Sequence, residues 1–204
     1  MKIVKILFFA LIIIQTSGCV YWREGDVQPI KDFPQKQLDV SIKLRYEINF
    51  KANGMSVLGL NTENERKSRE TIVIEKFNNT NLFKEVASDS KNPDYYLTIK
   101  YDSNDINFWN VLSCYTLGII PGFGYTDYTI TAELENNNKL INRYGASEEL
   151  HTATEILLLL AIPFTSNGGF SQIGEIYDEL IDNIIYQTYQ SIMEHNKLAT
   201  IEIK

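Results

Sequence analysis

Residues 38 to 50 constrain this chain most, because apolar and polar side chains alternate there without a break. Leu38, Val40, Ile42, Leu44, Tyr46, Ile48 and Phe50 alternate with Asp39, Ser41, Lys43, Arg45, Glu47 and Asn49. Successive side chains of a strand point to opposite faces, so this is a strand with one dry face and one wet face. Such a strand needs a sheet beside it and an apolar layer over it.

Two more segments carry the same period. Tyr95, Leu97, Ile99 and Tyr101 alternate with polar neighbours, as do Tyr128, Ile130, Ala132 and Leu134. Asn136-Asn137-Asn138 is turn chemistry and predicts a hairpin into a strand over Lys139 to Tyr144. Leu82 to Ala87 and Leu198 to Ile203 read as short strands.

Helical spacing supplies the cover. Ile173, Ile176, Tyr177, Leu180, Ile181, Ile184, Ile185, Thr188 and Ile192 form a wide apolar stripe suited to lying on a sheet. Thr62 with Glu65 forms a capping box before a helix over Thr62 to Asn79, where Val73 and Phe77 are an i,i+4 pair. The expected fold is α+β, a two-layer sandwich with a mostly antiparallel sheet and a long C-terminal helix packed on one face.

The N-terminus reads as an export signal. Lys2 and Lys5 precede an uninterrupted apolar run from Ile6 to Ile14, and Thr16-Ser17-Gly18 are small residues directly before Cys19. A bilayer-spanning helix needs about 20 apolar residues, so the run is too short to be an anchor itself. The segment resembles the signal of bacterial lipoproteins, although Thr16 stands where that family usually has Leu. The resemblance implies diacylation of Cys19, cleavage before it, and acylation of the new amino group with palmitate-type chains. It also implies a cell-envelope location, and Val20 rather than Asp after the cysteine points to the outer membrane facing the periplasm. The expected division is a signal over 1–18, a tether over 19–37 and one domain over 38–204. Tyr21 and Trp22, with apolar bodies and polar tips, suit the lipid interface.

Loss of residues 1–18 takes the formal charge from −7 to −9. An acidic chain lacks the clustered Lys and Arg that nucleic acid requires. With Cys19 acylated only Cys114 remains, so no internal disulfide can form, and its apolar context marks it as a core residue.

Two charge-free stretches interrupt the patterned elements. One spans 106–126; the other begins at 156–164 and continues to Gly174. Either they pack together in the core, or they form an exposed patch against membrane or partner protein. Trp109, Tyr115, Leu117, Ile119, Ile120 and Phe123 are the candidate contacts on the second reading. The run Thr116 to Pro121 is similar to a segment of uncharacterised bacterial envelope lipoproteins, which carry no activity to transfer.

No catalytic or metal-binding constellation is recognisable, and no cofactor is expected. The strongest candidate is Glu148, His151 and Glu155, which would share a face of a helix starting near Ser147. The paired histidines of a zinc-protease helix are missing, and the glycines at 168 and 169 lack the Lys and Ser/Thr of a phosphate loop. Asp102, Asp105 and Asp127 flank the first apolar stretch but read as solvated acids, and His195 as a cation near a helix end. The expectation is a non-catalytic binding or structural lipoprotein, partnered by the membrane and an envelope protein. The alternative is an envelope hydrolase or metal-dependent enzyme with its site near His151.

Overall fold

A computed structural model of the chain describes residues 18–25, 27–57, 62–106, 122–155 and 169–202. The elements are β1 (Gly18–Gly25), β2 (Leu38–Ala52), β3 (Met55–Ser56), α1 (Glu63–Asn79), β4 (Phe83–Ala87), β5 (Tyr95–Ile106), β6 (Gly122–Asn136), β7 (Lys139–Glu155) and α2 (Gly169–Glu202). The fold is α+β. Among the described residues seven strands run in the order β1-β7-β6-β5-β2-β3, with β4 paired to β2 on the same edge as β3. Most pairs are antiparallel; β2 pairs in parallel with both β4 and β5.

The sheet is a curled half-barrel rather than the flat layer of a sandwich. Strands of 15 to 17 residues such as β2, β6 and β7 accumulate twist along their length, which coils a sheet of this size. Its inner face holds Ile42, Leu44, Tyr46, Leu97, Ile99, Ile130, Ala132 and Leu134, the alternating positions of the sequence, all buried. Across from them lie Ile176, Leu180, Ile181, Ile184, Ile185 and Ile192 of α2, also buried. Polar groups on this interface are paired: Tyr144 and Thr188 hydroxyls lie 2.6 Å apart, and Tyr46 and Tyr177 hydroxyls 3.0 Å apart.

Local chemistry sets the element ends. The Thr62 hydroxyl accepts from the Glu65 amide at 3.2 Å, capping α1, and α1 docks through Val73 and Phe77. The β6–β7 hairpin turns through Asn137 and Asn138, both at positive φ (50° and 61°), a region that Asn tolerates better than most side chains. Three expectations are corrected. Residues 198–202 continue α2 instead of forming a strand, since neither Gly nor Pro breaks the helix after Gly174. Strand β7 runs on to Glu155, through the residues expected to start a helix at Ser147. The expected tether over 19–37 is not one, because Gly18–Gly25 is an edge strand paired to β7. The irregular chain that follows is also fastened, with Val27 and Phe33 packed on the core and Gln37 Nε2 donating to the Phe83 carbonyl at 3.1 Å.

The entry to β5 is clamped by Asp94. Its carboxylate accepts from the Ser41 amide at 2.7 Å and the Ser41 hydroxyl at 2.8 Å, and the amide bond in particular holds its pKa below the ordinary 3.8. A depressed carboxylate contributes stability that is complete above the unfolded pKa and disappears as pH falls through the folded one. The acid limb of the stability profile, from pH ~4 downward, is therefore expected to flatten in Asp94→Asn. Urea midpoints measured across that range check this, and parallel acid limbs in the two proteins would refute it.

Candidate functional site

Strand register brings one end of the sheet together. Cys19 of β1 pairs with Thr154 of β7, and Thr154 pairs with Gly122 of β6. Next to them, Ile106 ends β5 opposite Tyr125. The end of β5, the start of β6 and the end of β7 therefore lie together here, where the connections 107–121 and 156–168 are joined to the sheet. Both connections fall within the two charge-free stretches of the sequence. Cys19 and the flanks of both apolar segments thus share one end of the fold.

Trp22, His151 and Tyr125 stand directly opposite one another across β1, β7 and β6 at this end. The Trp22 and His151 rings stack at 5.2 Å with 8° between planes, and Tyr125 tilts against His151 at 5.9 Å. Cross-strand pairs of this kind contribute about 0.2–1 kcal/mol each, so the cluster stiffens the edge of the sheet. Glu24 and Glu149 carboxylates lie 3.1 and 3.3 Å from His151 Nε2, but neither is aligned for a hydrogen bond. Phe123 is 57% exposed and Trp22 43%, which leaves large apolar surface in water on the outer face of the sheet, at the end that carries Cys19.

The expected Glu148, His151 and Glu155 face does not exist. On a strand, residues three apart point to opposite sides. Glu148 turns inward and is buried; His151 lies on the other face with Trp22. Among the described residues, no group of three His, Cys, Asp or Glu side chains gathers closely enough to hold a metal ion. His195 accompanies Tyr95, whose hydroxyl lies 3.0 Å from Nδ1. Asp102 accepts from Asn49 at 2.7 Å, and burial pushes the Asp105 carboxyl above its ordinary range, opposed by a bond from Thr126. These acids are parts of the sheet, bound to neighbouring strands.

Sequence reasoning did not find Arg23. Its guanidinium reaches inward from the edge strand, bonds Glu148 Oε1 from Nε at 3.1 Å, and forks onto both carboxylate oxygens of Glu179 on α2. The bond to Glu179, and then the charges of both acids, push its pKa above the ordinary value against the cost of burial. Arg23 thereby ties β1, β7 and α2 together. Of the expected contacts, Phe123 lies on β6 as described; Trp109, Tyr115, Leu117, Ile119 and Ile120, like Cys114, fall outside the described residues. Among the described residues no helix is long and apolar enough to cross a membrane.

No family model matches the chain, and no curated protein matches it in sequence. Solved structures give slight likenesses. A Xanthomonas campestris protein described as DUF330 is 10% identical with a TM-score of 0.43, over 85% of this chain and 96% of that one. The PelC dodecamer of Paraburkholderia phytofirmans is 14% identical with a TM-score of 0.33, over 83% of this chain and 96% of that one. Likenesses this slight assign no role to the chain.

Proposed function

We propose that this is a cell-envelope lipoprotein, acylated on Cys19, that works by binding or as a structural component rather than by catalysis. In this reading it sits on the periplasmic face of the outer membrane, with the Cys19 end of its half-barrel against the lipid. The observation that carries it is the convergence at that end: the cysteine of the lipoprotein-like signal, the flanks of both charge-free stretches, and the exposed rings of Trp22 and Phe123. An apolar surface beside a lipid anchor is already confined to the membrane, so seating it costs little further entropy.

The absence of a tether gives the reading a mechanical content. Cleavage before Cys19 would leave β1 paired from Cys19 to Gly25, with the acylated residue in the sheet itself. Acyl chains attached there hold the domain at the lipid surface with no slack. Trp109, Tyr115, Leu117, Ile119 and Ile120 would join Phe123 at the interface, or meet a partner protein there.

Mass analysis of protein made in its native host tests the reading. The expected mature chain begins at Cys19 and carries a diacylglyceryl thioether and an acylated amino group. A free thiol at Cys19, or an intact leading peptide, would end it.

A further inference from the structure

Strands β2 and β3 are joined by two residues, Asn53 and Gly54, because Ala52 at the end of one strand pairs with Met55 at the start of the other. A two-residue hairpin loop that matches the twist of its strands needs positive φ at both positions, and Asn53 and Gly54 supply it at 50° and 79°. Asn-Gly is the dipeptide best suited to such a turn. It also carries a chemical liability. Attack of the Gly54 nitrogen on Asn53 Cγ closes a five-membered ring, and glycine puts no side chain in the way. A Cβ built on Gly54 would meet no atom within 4 Å, and both residues are exposed, so solvent reaches the reacting groups.

The end of β5 lies against this turn. Lys51 and Ala52 pair in parallel with Asn104 and Asp105. From there the Asp105 carbonyl accepts the Asn53 N–H at 2.7 Å, and Asn104 Oδ1 accepts the Gly54 N–H at 3.1 Å. The Gly54 nitrogen becomes a nucleophile only as it loses its proton, so an acceptor that holds the N–H in place slows the attack by the worth of that hydrogen bond. The same bond ties the nitrogen to β5. A loop dictated by backbone geometry is thus covered, at its reactive atom, by a side chain fifty residues further along the chain.

We infer that Asn53 is a site of spontaneous covalent modification, deamidation through a succinimide, and that Asn104 is the residue that restrains it. The reaction needs water alone. With its proton lost to solvent base, the Gly54 nitrogen bonds to Asn53 Cγ, and the side-chain nitrogen takes up a proton and leaves as ammonia. Water then opens the ring at either carbonyl and leaves aspartate or isoaspartate. Both products add a negative charge next to Ala52, the residue paired with Asp105. Isoaspartate also adds a carbon to the backbone of the turn, which upsets the pairing of Ala52 with Met55. The inference goes beyond the anchoring proposal and does not depend on it.

Peptide mapping by mass spectrometry, on the full protein kept for weeks in mildly alkaline buffer, tests this. Conversion of amide to acid is expected at Asn53, with isoaspartate among the products, and Asn104→Ala is expected to speed it about fivefold, the worth of one ordinary hydrogen bond. Asn104→Asp keeps an oxygen to accept the Gly54 N–H and is expected to stay near the wild-type rate. Asn167-Gly168, the other Asn-Gly of the chain, is the reference within the same digests, and its rate is expected to be equal in all three proteins. Absence of conversion at Asn53 in both the wild type and Asn104→Ala overturns the inference. Equal rates at Asn53 in those two proteins also overturn it, as does the same acceleration in Asn104→Asp. Parallel acceleration at Asn167 counts against it too, since general loosening of the chain would then account for the change.

Discussion

Replacing Arg23 with alanine is expected to cost the folded domain about 3–5 kcal/mol, the usual consequence of removing one partner from a buried ion pair. Glu148 would be left 4% exposed with neither oxygen paired, and Glu179 would lose its fork on α2. The three-way tie among β1, β7 and α2 would go with it. A second substitution distinguishes lost attraction from a stranded charge. Arg23→Met with Glu148→Leu should recover most of the loss, because a well-packed apolar pair commonly equals or exceeds the ion pair it replaces. Urea denaturation of the wild type, the single variant and the double variant gives the answer. An Arg23→Ala variant within about 1 kcal/mol of wild type, the worth of an exposed salt bridge, would show that this network is merely a surface contact.

Exchange of residues 1–18 for a conventionally cleaved export signal, together with Cys19→Ser, is expected to move nearly all of the protein from the membrane fraction to the soluble fraction. Each acyl methylene contributes about 0.8 kcal/mol, and a single myristoyl chain already gives an association constant near 10⁴ M⁻¹; several chains on one residue make dissociation negligible. Without them only side chains such as Trp22 and Phe123 remain, an affinity expected to be weak and reversible. Fractionation and immunoblotting of the two strains measures the shift. Unchanged membrane recovery of the serine variant would mean that something other than acylation holds the protein.

The elements that were legible in the sequence share one property: their partners are apolar and periodic. Leu38 to Phe50, Tyr95 to Tyr101 and Tyr128 to Leu134 alternate because each faces the same dry layer, and the α2 stripe is the other half of that layer. The α1 cap was legible because Thr62 and Glu65 are neighbours in sequence. Strand β1 and the second half of β7 were not, and one ion pair accounts for both. Arg23 and Glu148 each occupy an inward position where alternation calls for an apolar residue. A charge there breaks the period, making β1 resemble a tether and Ser147 to Glu149 resemble the acidic first turn of a helix. Glu148 is paired with Arg23, 125 residues away, and Arg23 also with Glu179 on α2, and no local pattern carries that information. The Trp22, His151 and Tyr125 cluster was hidden for the same reason, since it exists only once the register of three strands is fixed.

That separation also has a bearing on how the molecule comes into being. Among the described residues strand β1 pairs with β7 alone, so those hydrogen bonds wait for a strand that follows more than a hundred residues later. At typical synthesis rates, Arg23 emerges roughly 6–25 s before Glu148. Through that interval the nascent N-terminal strand is an open template, with its backbone groups unclaimed and its tryptophan in water, the condition in which strands capture the wrong neighbour. Whatever escorts this polypeptide during its biogenesis must shield that first strand longest.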